Sequence, residues 1–454
     1  MKKTRLKKTA VLTLFWAALM LIVFSISASA AKGDYIVKYN ENAVRLMGEQ
    51  SEPFDVVSEE EMKRLAEAGL LKWYEEDGEM TLLDDMQTYN YPADKWDFPM
   101  INADAAFERG YLGQGVRVGV IDSGVNAHED LADSLKRGHC YMENGSPTDT
   151  ADEYGHGTSV AGLIAGSGKN GYIGAAPKAE IVPLKVTDGK PVAVSTVCRA
   201  IYGGIDDFNC DILNMSLGIK VESEALKEAV EHAEEQGVLL VSAVGNNGSR
   251  AKLYPAAYDS VIGVGAVDET EEIYYHSNHN ESVFITAPGV NVKTLGRFSG
   301  YELKSGTSFA VPFVTAAAAV MLSIDGALTP RDIMRILSET AADKGDNGYD
   351  EYYGAGILQI GGCVTKLLNR KLRFLPETGA ASQIQNLTDT DLSCRYMMAE
   401  YGENGVCTGV TACDLTIPAN GTAEIEAPKE NAQYGQFVFK TDKLEPLASA
   451  RKSR

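Results

Sequence analysis

Short apolar runs alternate with helical patterns through the middle of the chain. The strand-like runs are VRVGVID (116–122), AEIVPLKV (179–186), DILNMSL (211–217), GVLLVSAVG (237–245) and SVIGVGAV (260–267). The helical patterns between them are GTSVAGLIAG (157–166), STVCRAIYGGIDDF (195–208) and SEALKEAVEHAEEQG (223–237). Continuously apolar strands that alternate with helices are typical of a parallel sheet covered on both faces. The pattern predicts an α/β fold over residues 89–362, with a mostly parallel sheet and functional residues at the carboxyl ends of its strands.

A different pattern precedes this region. YIVKYN (35–40) has strand character, and Ser58 followed three residues later by Glu61 is a capping-box signal for a helix. Strand character returns over 70–83 on either side of the turn pair Asp77-Gly78. Residues 31–88 are therefore predicted to form a small α+β unit.

The pattern changes again after Gly362. Short alternating runs such as CDLTIP (413–418) and TAEIEA (422–427) are separated by the turn pair Asn420-Gly421. Alternation with frequent turns favours strands, so residues 363–454 are predicted to form a small β-rich module, for which a β-sandwich is one candidate architecture.

The N-terminus carries a targeting pattern. A basic head, MKKTRLKK, is followed by an uncharged apolar run and by Ala28-Ser29-Ala30. This order predicts a secretory signal peptide over residues 1–30. The alternative is an uncleaved anchor, because about 18 apolar residues can be considered as a span. The small-residue site favours cleavage and export.

Composition and cysteine spacing exclude several kinds of partner. The chain of 454 residues is 44% hydrophobic and has a net charge of −21. This charge argues against binding to nucleic acid or to an anionic membrane surface. The seven cysteines show no CxxC or Cys/His metal spacing, so no zinc site is predicted. Cys198 and Cys210 fit small buried residues, whereas a disulfide could join two of Cys394, Cys407 and Cys413.

Four polar residues stand at the ends of predicted elements. Asp122 ends a strand, His156 lies between two glycines, Asn246 follows an apolar strand and Ser308 opens an apolar helix. Each has an ordinary reading alone: a turn aspartate, a loop histidine, a turn asparagine and an N-cap serine. Together they are an orienting acid, a base, an amide donor and a nucleophile, which are the parts needed for serine acyl transfer.

The motifs around these residues give a family resemblance over about residues 90–360. The chain resembles the subtilisin-like serine proteases, or subtilases, through VIDSGV (120–125), GHGTSVAG (155–162), LNMSLG (213–218), VGNNG (244–248) and GTSFAVP (306–312). The resemblance implies a catalytic triad of Asp122, His156 and Ser308. It also implies Asn246 as the oxyanion donor, and strand addition of the substrate to Ser216, Leu217 and Gly218.

The same resemblance implies a zymogen. Residues 31–88 are similar to the family's propeptide, which would assist folding, block the cleft as an intramolecular inhibitor and be cut out autocatalytically. The junction is expected between Leu83 and Pro92. The expected function is a secreted serine endopeptidase that acts on proteins or peptides through an acyl-enzyme. The alternatives are a catalytically silent binding protein of this fold and a processing protease with one partner substrate.

The sequence departs from the family at several positions. Ile219 follows Gly218 where many members have a second glycine, and Leu253 stands where members with large pockets often have glycine. Leu253 is therefore predicted to narrow the pocket for the P1 side chain, which precedes the scissile bond, and to favour smaller side chains there.

Two further motifs are assigned no function. The loop 166–177 lies where some relatives bind calcium, but it contains no carboxylate, so no metal or other cofactor is assigned. LPETG (375–379) resembles a cell-wall sorting signal but is not followed by an apolar span, so it is predicted to be part of a linker.

Overall fold

The computed structural model describes residues 34–41, 43–44, 53–82, 95–169, 171–369, 372–374, 382–387, 391–401, 407–419, 421–425, 433–440 and 451–452. The predicted signal peptide, the predicted junction between Leu83 and Pro92, and the LPETG motif lie outside these residues. The described chain forms two units. The first takes in the residues up to Glu79 together with Ala193–Ser195 and Ser223–Ala225, and the second takes in the rest.

Within the described residues, the first unit contains a helix packed on a small antiparallel sheet. The sheet has the order β2-β1-β3, and the elements are β1 (Asp34–Tyr39), β2 (Asp55–Ser58), α1 (Glu59–Glu67) and β3 (Leu71–Glu76). Val37 from the sheet and Met62 and Leu65 from α1 are buried together in its core. Ser58 Oγ accepts a hydrogen bond from the Glu61 N–H at 3.3 Å, so the capping signal marks the start of α1. The predicted α+β arrangement is confirmed.

The second unit is built on a seven-stranded sheet. Its order is β13-β12-β11-β9-β5-β7-β6, and every neighbouring pair is parallel. The strands are β5 (Arg117–Asp122), β6 (His139–Cys140), β7 (Glu180–Lys185), β9 (Ile212–Met215), β11 (Leu239–Ala243), β12 (Val261–Val267) and β13 (Ile285–Pro288). The predicted parallel α/β fold is confirmed. From β5 the chain first adds strands on one side and then, from β9, on the other. A crevice therefore opens between the carboxyl ends of β5 and β9.

Helices cover both faces of this sheet. They are α2 (Asp97–Met100), α3 (Asp104–Phe107), α4 (His156–Ala165), α5 (Val194–Asp206), α6 (Glu224–Gln236), α7 (Thr307–Ile324), α8 (Pro330–Thr340) and α9 (Ile360–Leu368). Val118 and Val120 of β5 share a core with α4 and α7. Between them, Gly119 faces Leu184 and Leu213, which also meet α5 at Gly204 on the opposite face. This alternation follows from the period of two along a strand.

Helix α7 runs through the main core. Its length and composition would allow it to cross a membrane, but 83% of it is buried inside the protein. It packs against α4 and against strands β9, β11, β12 and β13. Such a helix is a core element, and its first residues have fixed positions relative to the sheet.

Several smaller sheets are present besides the main sheet. A hairpin is formed by β14 (Val292–Leu295) and β15 (Tyr301–Lys304), and a separate sheet has β4 (Glu79–Leu82) between β10 (Leu217–Gly218) and β8 (Val192–Ala193). The C-terminal strands are β16 (Leu372–Phe374), β17 (Ser382–Asn386), β18 (Leu392–Tyr401), β19 (Cys407–Ile417), β20 (Thr422–Ile425), β21 (Gln433–Lys440) and β22 (Arg451–Lys452).

The C-terminal strands form two antiparallel sheets that share a core. The orders are β16-β17-β20 and β19-β18-β21-β22. Leu372 and Ile384 from the first sheet are buried together with Tyr396 and Val438 from the second. This end of the chain is β-rich as predicted, and its two sheets pack as a sandwich. Cys198 and Cys210 are buried, 0% and 3% exposed, in agreement with their reading as small core residues.

Candidate active site

Asp122 and His156 meet at the crevice of the main sheet. Asp122 ends β5 and is fully buried, while His156 is the first residue of α4. His156 Nδ1 lies 2.8 Å from Asp122 Oδ1 and 2.9 Å from Oδ2. A carboxylate at Nδ1 fixes the orientation of the imidazole and leaves Nε2 as the atom that can exchange a proton with a nucleophile.

A glycine permits this close approach. A Cβ atom at Gly157 would lie 2.1 Å from the Gly124 carbonyl oxygen and 3.1 Å from the Asp122 side chain. Only a residue without a side chain fits between α4 and the end of β5, which explains why a glycine follows His156.

Ser308 lies in the first turn of α7. The residue that caps this helix is Gly306, with φ 138°, so the reading of Ser308 as an ordinary N-cap is wrong. The ring of the next residue, Phe309, packs against the His156 ring with centroids 5.2 Å apart. Ser308 is therefore carried on a turn that packs directly against the histidine, at the positive end of a buried helix.

Ser216 binds Ser308 through two hydrogen bonds. The Ser216 hydroxyl donates to the Ser308 carbonyl at 2.9 Å, and the Ser308 hydroxyl donates to the Ser216 carbonyl at 3.3 Å. Proline has no N–H, so Pro312 cannot make the helical bond to the carbonyl four residues earlier. The Ser216 hydroxyl satisfies that carbonyl and joins the helix start to the segment between β9 and β10.

Asn246 is held at the start of the same helix. Its Oδ1 accepts hydrogen bonds from the Thr307 N–H and the Thr307 hydroxyl, both at 2.9 Å. Two donors on Oδ1 determine which atom of the amide is the oxygen and fix the side chain beside Ser308. The structure thus brings Asn246, Ser308 and Ser216 to the amino end of α7.

The predicted substrate edge is occupied by a segment of the same chain. Leu82 pairs with Leu217 and Thr81 with Gly218 in antiparallel register. Met80 is fully buried, and Thr81 is exposed. An extended peptide therefore adds to this edge by backbone pairing, with alternate side chains directed inward and outward.

Leu253 fills the space between two glycines of the site. A Cβ atom at Gly245 would lie 2.5 Å from Leu253 Cδ1, and one at Gly218 would lie 3.3 Å from Leu253 Cβ. Gly245 precedes Asn246, and Gly218 belongs to the paired edge. The leucine is 2% exposed, so its side chain occupies the recess beside these two backbone segments.

Three carboxylates at structurally important positions were missed by sequence reasoning. Asp152, four residues before His156, is buried and accepts several hydrogen bonds at the start of α4. In the first unit, Glu75 accepts from the Ser223 hydroxyl and from the N–H groups of Glu224 and Ala225 at 2.7–3.0 Å. Asp77 accepts from the Ser195 N–H at 2.9 Å. An acidic residue shortly before a helix start was a usable signal for Asp152. Glu75 and Asp77 cap helices far away in the sequence and had no local signal.

Comparison with known proteins identifies the family. Residues 113–356 match the model of the subtilase family. The chain is 32% identical to a thermostable alkaline protease of Halalkalibacterium halodurans over 367 residues, which are 77% of this chain and 97% of that protein. It is 37% identical to subtilisin DY of Bacillus licheniformis over 275 residues, 58% of this chain and 95% of that one. It is 36% identical to the minor extracellular protease Epr of Bacillus subtilis over 272 residues, 59% of this chain and 41% of Epr. The chain therefore belongs to the subtilase family, and it is a serine endopeptidase.

Proposed function

We propose that the chain is a secreted endopeptidase made as a zymogen, with Asp122, His156 and Ser308 as its catalytic triad. The observation that carries the triad is the contact of 2.8 Å between His156 Nδ1 and Asp122, combined with the packing of Phe309 on the same imidazole. The first contact orients the imidazole, and the second supports a position of the base beside the turn that carries Ser308. The signal-peptide pattern supports secretion, and one relative is named as an extracellular protease.

The proposed reaction has two halves, acylation of Ser308 and hydrolysis of the acyl-enzyme, and His156 transfers a proton in each. Ser308 Oγ attacks the carbonyl carbon of the scissile bond while its proton passes to His156 Nε2, and Asp122 stabilises the resulting imidazolium. The oxyanion accepts hydrogen bonds from the Asn246 amide and from backbone N–H groups at the start of α7. The intermediate then expels the amine, which takes the proton from His156. Water, deprotonated by His156, hydrolyses the acyl-enzyme and restores Ser308.

Substrates are proteins or peptides, bound along Ser216, Leu217 and Gly218. The pairing of Thr81 and Leu82 with this edge is the kind of backbone contact that an extended substrate would make.

We infer that residues 31–88 are the propeptide, which inhibits the enzyme by occupying this edge. Its Glu75 and Asp77 also satisfy the N–H groups at the first turns of α6 and α5, a contribution of the kind that stabilises helix starts. No nucleic acid is expected as a partner.

The test is the Ser308→Ala variant beside the wild-type protein. The wild type should be secreted and cut between Leu83 and Pro92, whereas Ser308→Ala should remain a full-length precursor. N-terminal sequencing of both secreted products measures this directly. Maturation of Ser308→Ala in a pure preparation, or a wild-type protein that is never cut and hydrolyses no peptide, would contradict the proposal. The second result would favour the silent binding protein.

A further inference from the structure

Asp152 is a second buried carboxylate next to the catalytic pair. It is 1% exposed. Its Oδ1 accepts from the N–H groups of Tyr154 and Gly155 at 3.0 and 2.7 Å. Its Oδ2 accepts from the N–H and the hydroxyl of Thr158 at 2.8 and 2.7 Å. These donors belong to the first turn of α4 and the loop before it, so the carboxylate holds the start of the helix on which His156 stands.

A hydroxyl connects this carboxylate to Asp122. Ser123 Oγ lies 2.8 Å from Asp152 Oδ1 and 3.2 Å from Asp122 Oδ1. Its single proton therefore goes to the closer acceptor, Asp152. The same oxygen accepts from the Gly157 N–H at 3.0 Å, and the Ser123 N–H donates to Asp122 Oδ1 at 2.7 Å. A continuous chain of hydrogen bonds thus runs from Asp152 through Ser123 to the residues on either side of the Asp122–His156 contact.

The backbone of Asp152 is also fixed. The Asn126 side chain donates to the Asp152 carbonyl at 2.8 Å and accepts from its N–H at 2.9 Å. Arg297 Nε donates to the same carbonyl at 3.1 Å. With main chain and side chain both held, the carboxylate can serve as a rigid support and does not depend on a mobile loop.

We propose that Asp152 is a positioning residue for the reaction: through Ser123 and the first turn of α4, it sets the mutual geometry of Asp122 and His156. This inference rests on the triad proposed above. The carboxylate accepts from donors on both of its oxygens at once. An amide in its place would direct its own NH2 group at the N–H groups on one side, and the helix start would have to shift.

The pH dependence of kcat/KM should respond to the charge of Asp152, whereas a purely structural role of this residue would leave that pH dependence unchanged. Charged or titratable groups in this region include Asp122, His156 and Arg297. They also include Lys185, whose Nζ donates to the Ala151 carbonyl at 2.7 Å and pairs with Asp188 at 2.7 Å. Asp152 is a buried negative charge near the imidazole, so it favours the imidazolium. Its removal should move the acid limb of the kcat/KM profile to lower pH.

The experiment compares three variants, each expressed as the full chain, allowed to mature and normalised by titration with a serine-directed phosphonylating reagent. Asp152→Asn should lower kcat roughly 10²-fold, change KM little and move the acid limb to lower pH. Ser123→Ala should lower kcat by about tenfold without moving the acid limb, because it breaks the connection and keeps the charge. Asp149→Asn removes the same charge from an exposed position of the same loop and should change neither quantity.

The outcomes separate this inference from the proposed function. The positioning role would be overturned if Asp152→Asn kept the wild-type kcat per titrated site and the wild-type acid limb, and showed only a lower melting temperature. If Asp152→Asn does not fold, Ser123→Ala decides: a normal kcat per site would overturn the inference, and the expected loss would support it. A wild-type enzyme that neither reacts with the reagent nor cleaves peptides would instead refute the triad itself.

Discussion

Pro312 stands one helical turn after Ser308, and the missing proline N–H leaves the Ser308 carbonyl to the hydroxyl of Ser216, 2.9 Å away. A residue that weakens most helices thus makes room for a bond between the backbone of Ser308, the proposed nucleophile, and the strand edge. This bond holds the first turn of α7 against the segment that is expected to bind substrate.

Replacing Ser216 with alanine should destabilise the protein. The substitution leaves the buried Ser308 carbonyl without its donor, so the free energy of unfolding should fall by about 1–3 kcal/mol. Urea unfolding in the Ser308→Ala background, where self-digestion is excluded, measures this loss. Ser242 on β11 is the matched control, because within the described residues its buried hydroxyl has no hydrogen-bond partner. Ser242→Ala should therefore leave the stability nearly unchanged, and equal losses in the two variants would argue against the role of this bond.

Replacing Asn246 with alanine should reduce kcat while KM stays similar. An oxyanion donor acts mainly in the transition state, and its loss should cost about 10²–10³-fold in kcat. Steady-state kinetics on a peptide anilide gives both constants. Asn247→Ala changes the exposed neighbour on the same loop and should retain normal kcat. A large rise in KM with unchanged kcat in Asn246→Ala would point to a substrate-binding role instead.

Enlarging the recess at Leu253 should change the P1 preference. The wild type is expected to cleave after small and medium aliphatic side chains, because Leu253 fills the space between Gly218 and Gly245. Leu253→Ala and Leu253→Gly should both raise the ratio of kcat/KM for substrates with phenylalanine at P1 to kcat/KM for substrates with alanine at P1. The Leu253→Gly variant should raise this ratio by about tenfold or more. A library varied at P1 measures the three enzymes in parallel. A wild type that already prefers aromatic P1 residues would refute the prediction.

Lys95 should make stability increase at alkaline pH. Its Nζ lies 3.5 Å from the Phe98 ring centroid and 4.6 Å from that of Tyr172. Burial lowers the pKa of Lys95 to about 8, although Asp97 acts in the opposite direction. The unfolded chain, with an ordinary lysine pKa of about 10.4, binds this proton more tightly than the folded protein between those values. Stability contributed by this group should therefore rise as pH increases from about 8 to 10.4, by up to about 3 kcal/mol.

The measurement is urea unfolding at pH 7, 8.5 and 10 in the Ser308→Ala background. Lys95→Met should remove the alkaline gain. The same substitution at the exposed Lys178 controls for the loss of one positive charge. Parallel pH profiles for the background protein and its Lys95→Met variant would show that Lys95 makes no such contribution.

Local signals carried most of what the sequence predicted correctly. The apolar strand runs gave the main sheet because strands buried on both faces need apolar residues at every position, as in β5, β11 and β12. The cap at Ser58 was predictable because donor and acceptor lie three residues apart. Asp122, His156, Asn246 and Ser308 each stand at an element end, and this placement is also visible in a linear sequence.

Contacts between distant residues were not predictable in this way. Asp77 reaches Ser195 and Glu75 reaches Ser223 across more than a hundred residues, and neither acidic residue stands before a helix of its own. The strands on either side of Asp77-Gly78 were expected, but an alternating pattern does not show which strand each of them pairs with. β3 pairs with β1, whereas β4 pairs with β10. The Ser216–Ser308 pair likewise depends on the crossing of β9 and α7, which no single motif contains.

The pairing of Thr81 and Leu82 with Gly218 and Leu217 has a consequence for how activity would begin. An occupant on the same polypeptide is present at a fixed effective concentration, so dilution does not release it as it would a separate inhibitor. Once the chain is cut, the occupant is a separate molecule, and the fraction of enzyme that it occupies falls with dilution. On the proposed zymogen mechanism, the intact chain would therefore stay inhibited however far it is diluted. Activity would then require one cleavage, after which the fraction of free enzyme would grow with the volume into which the protein is released.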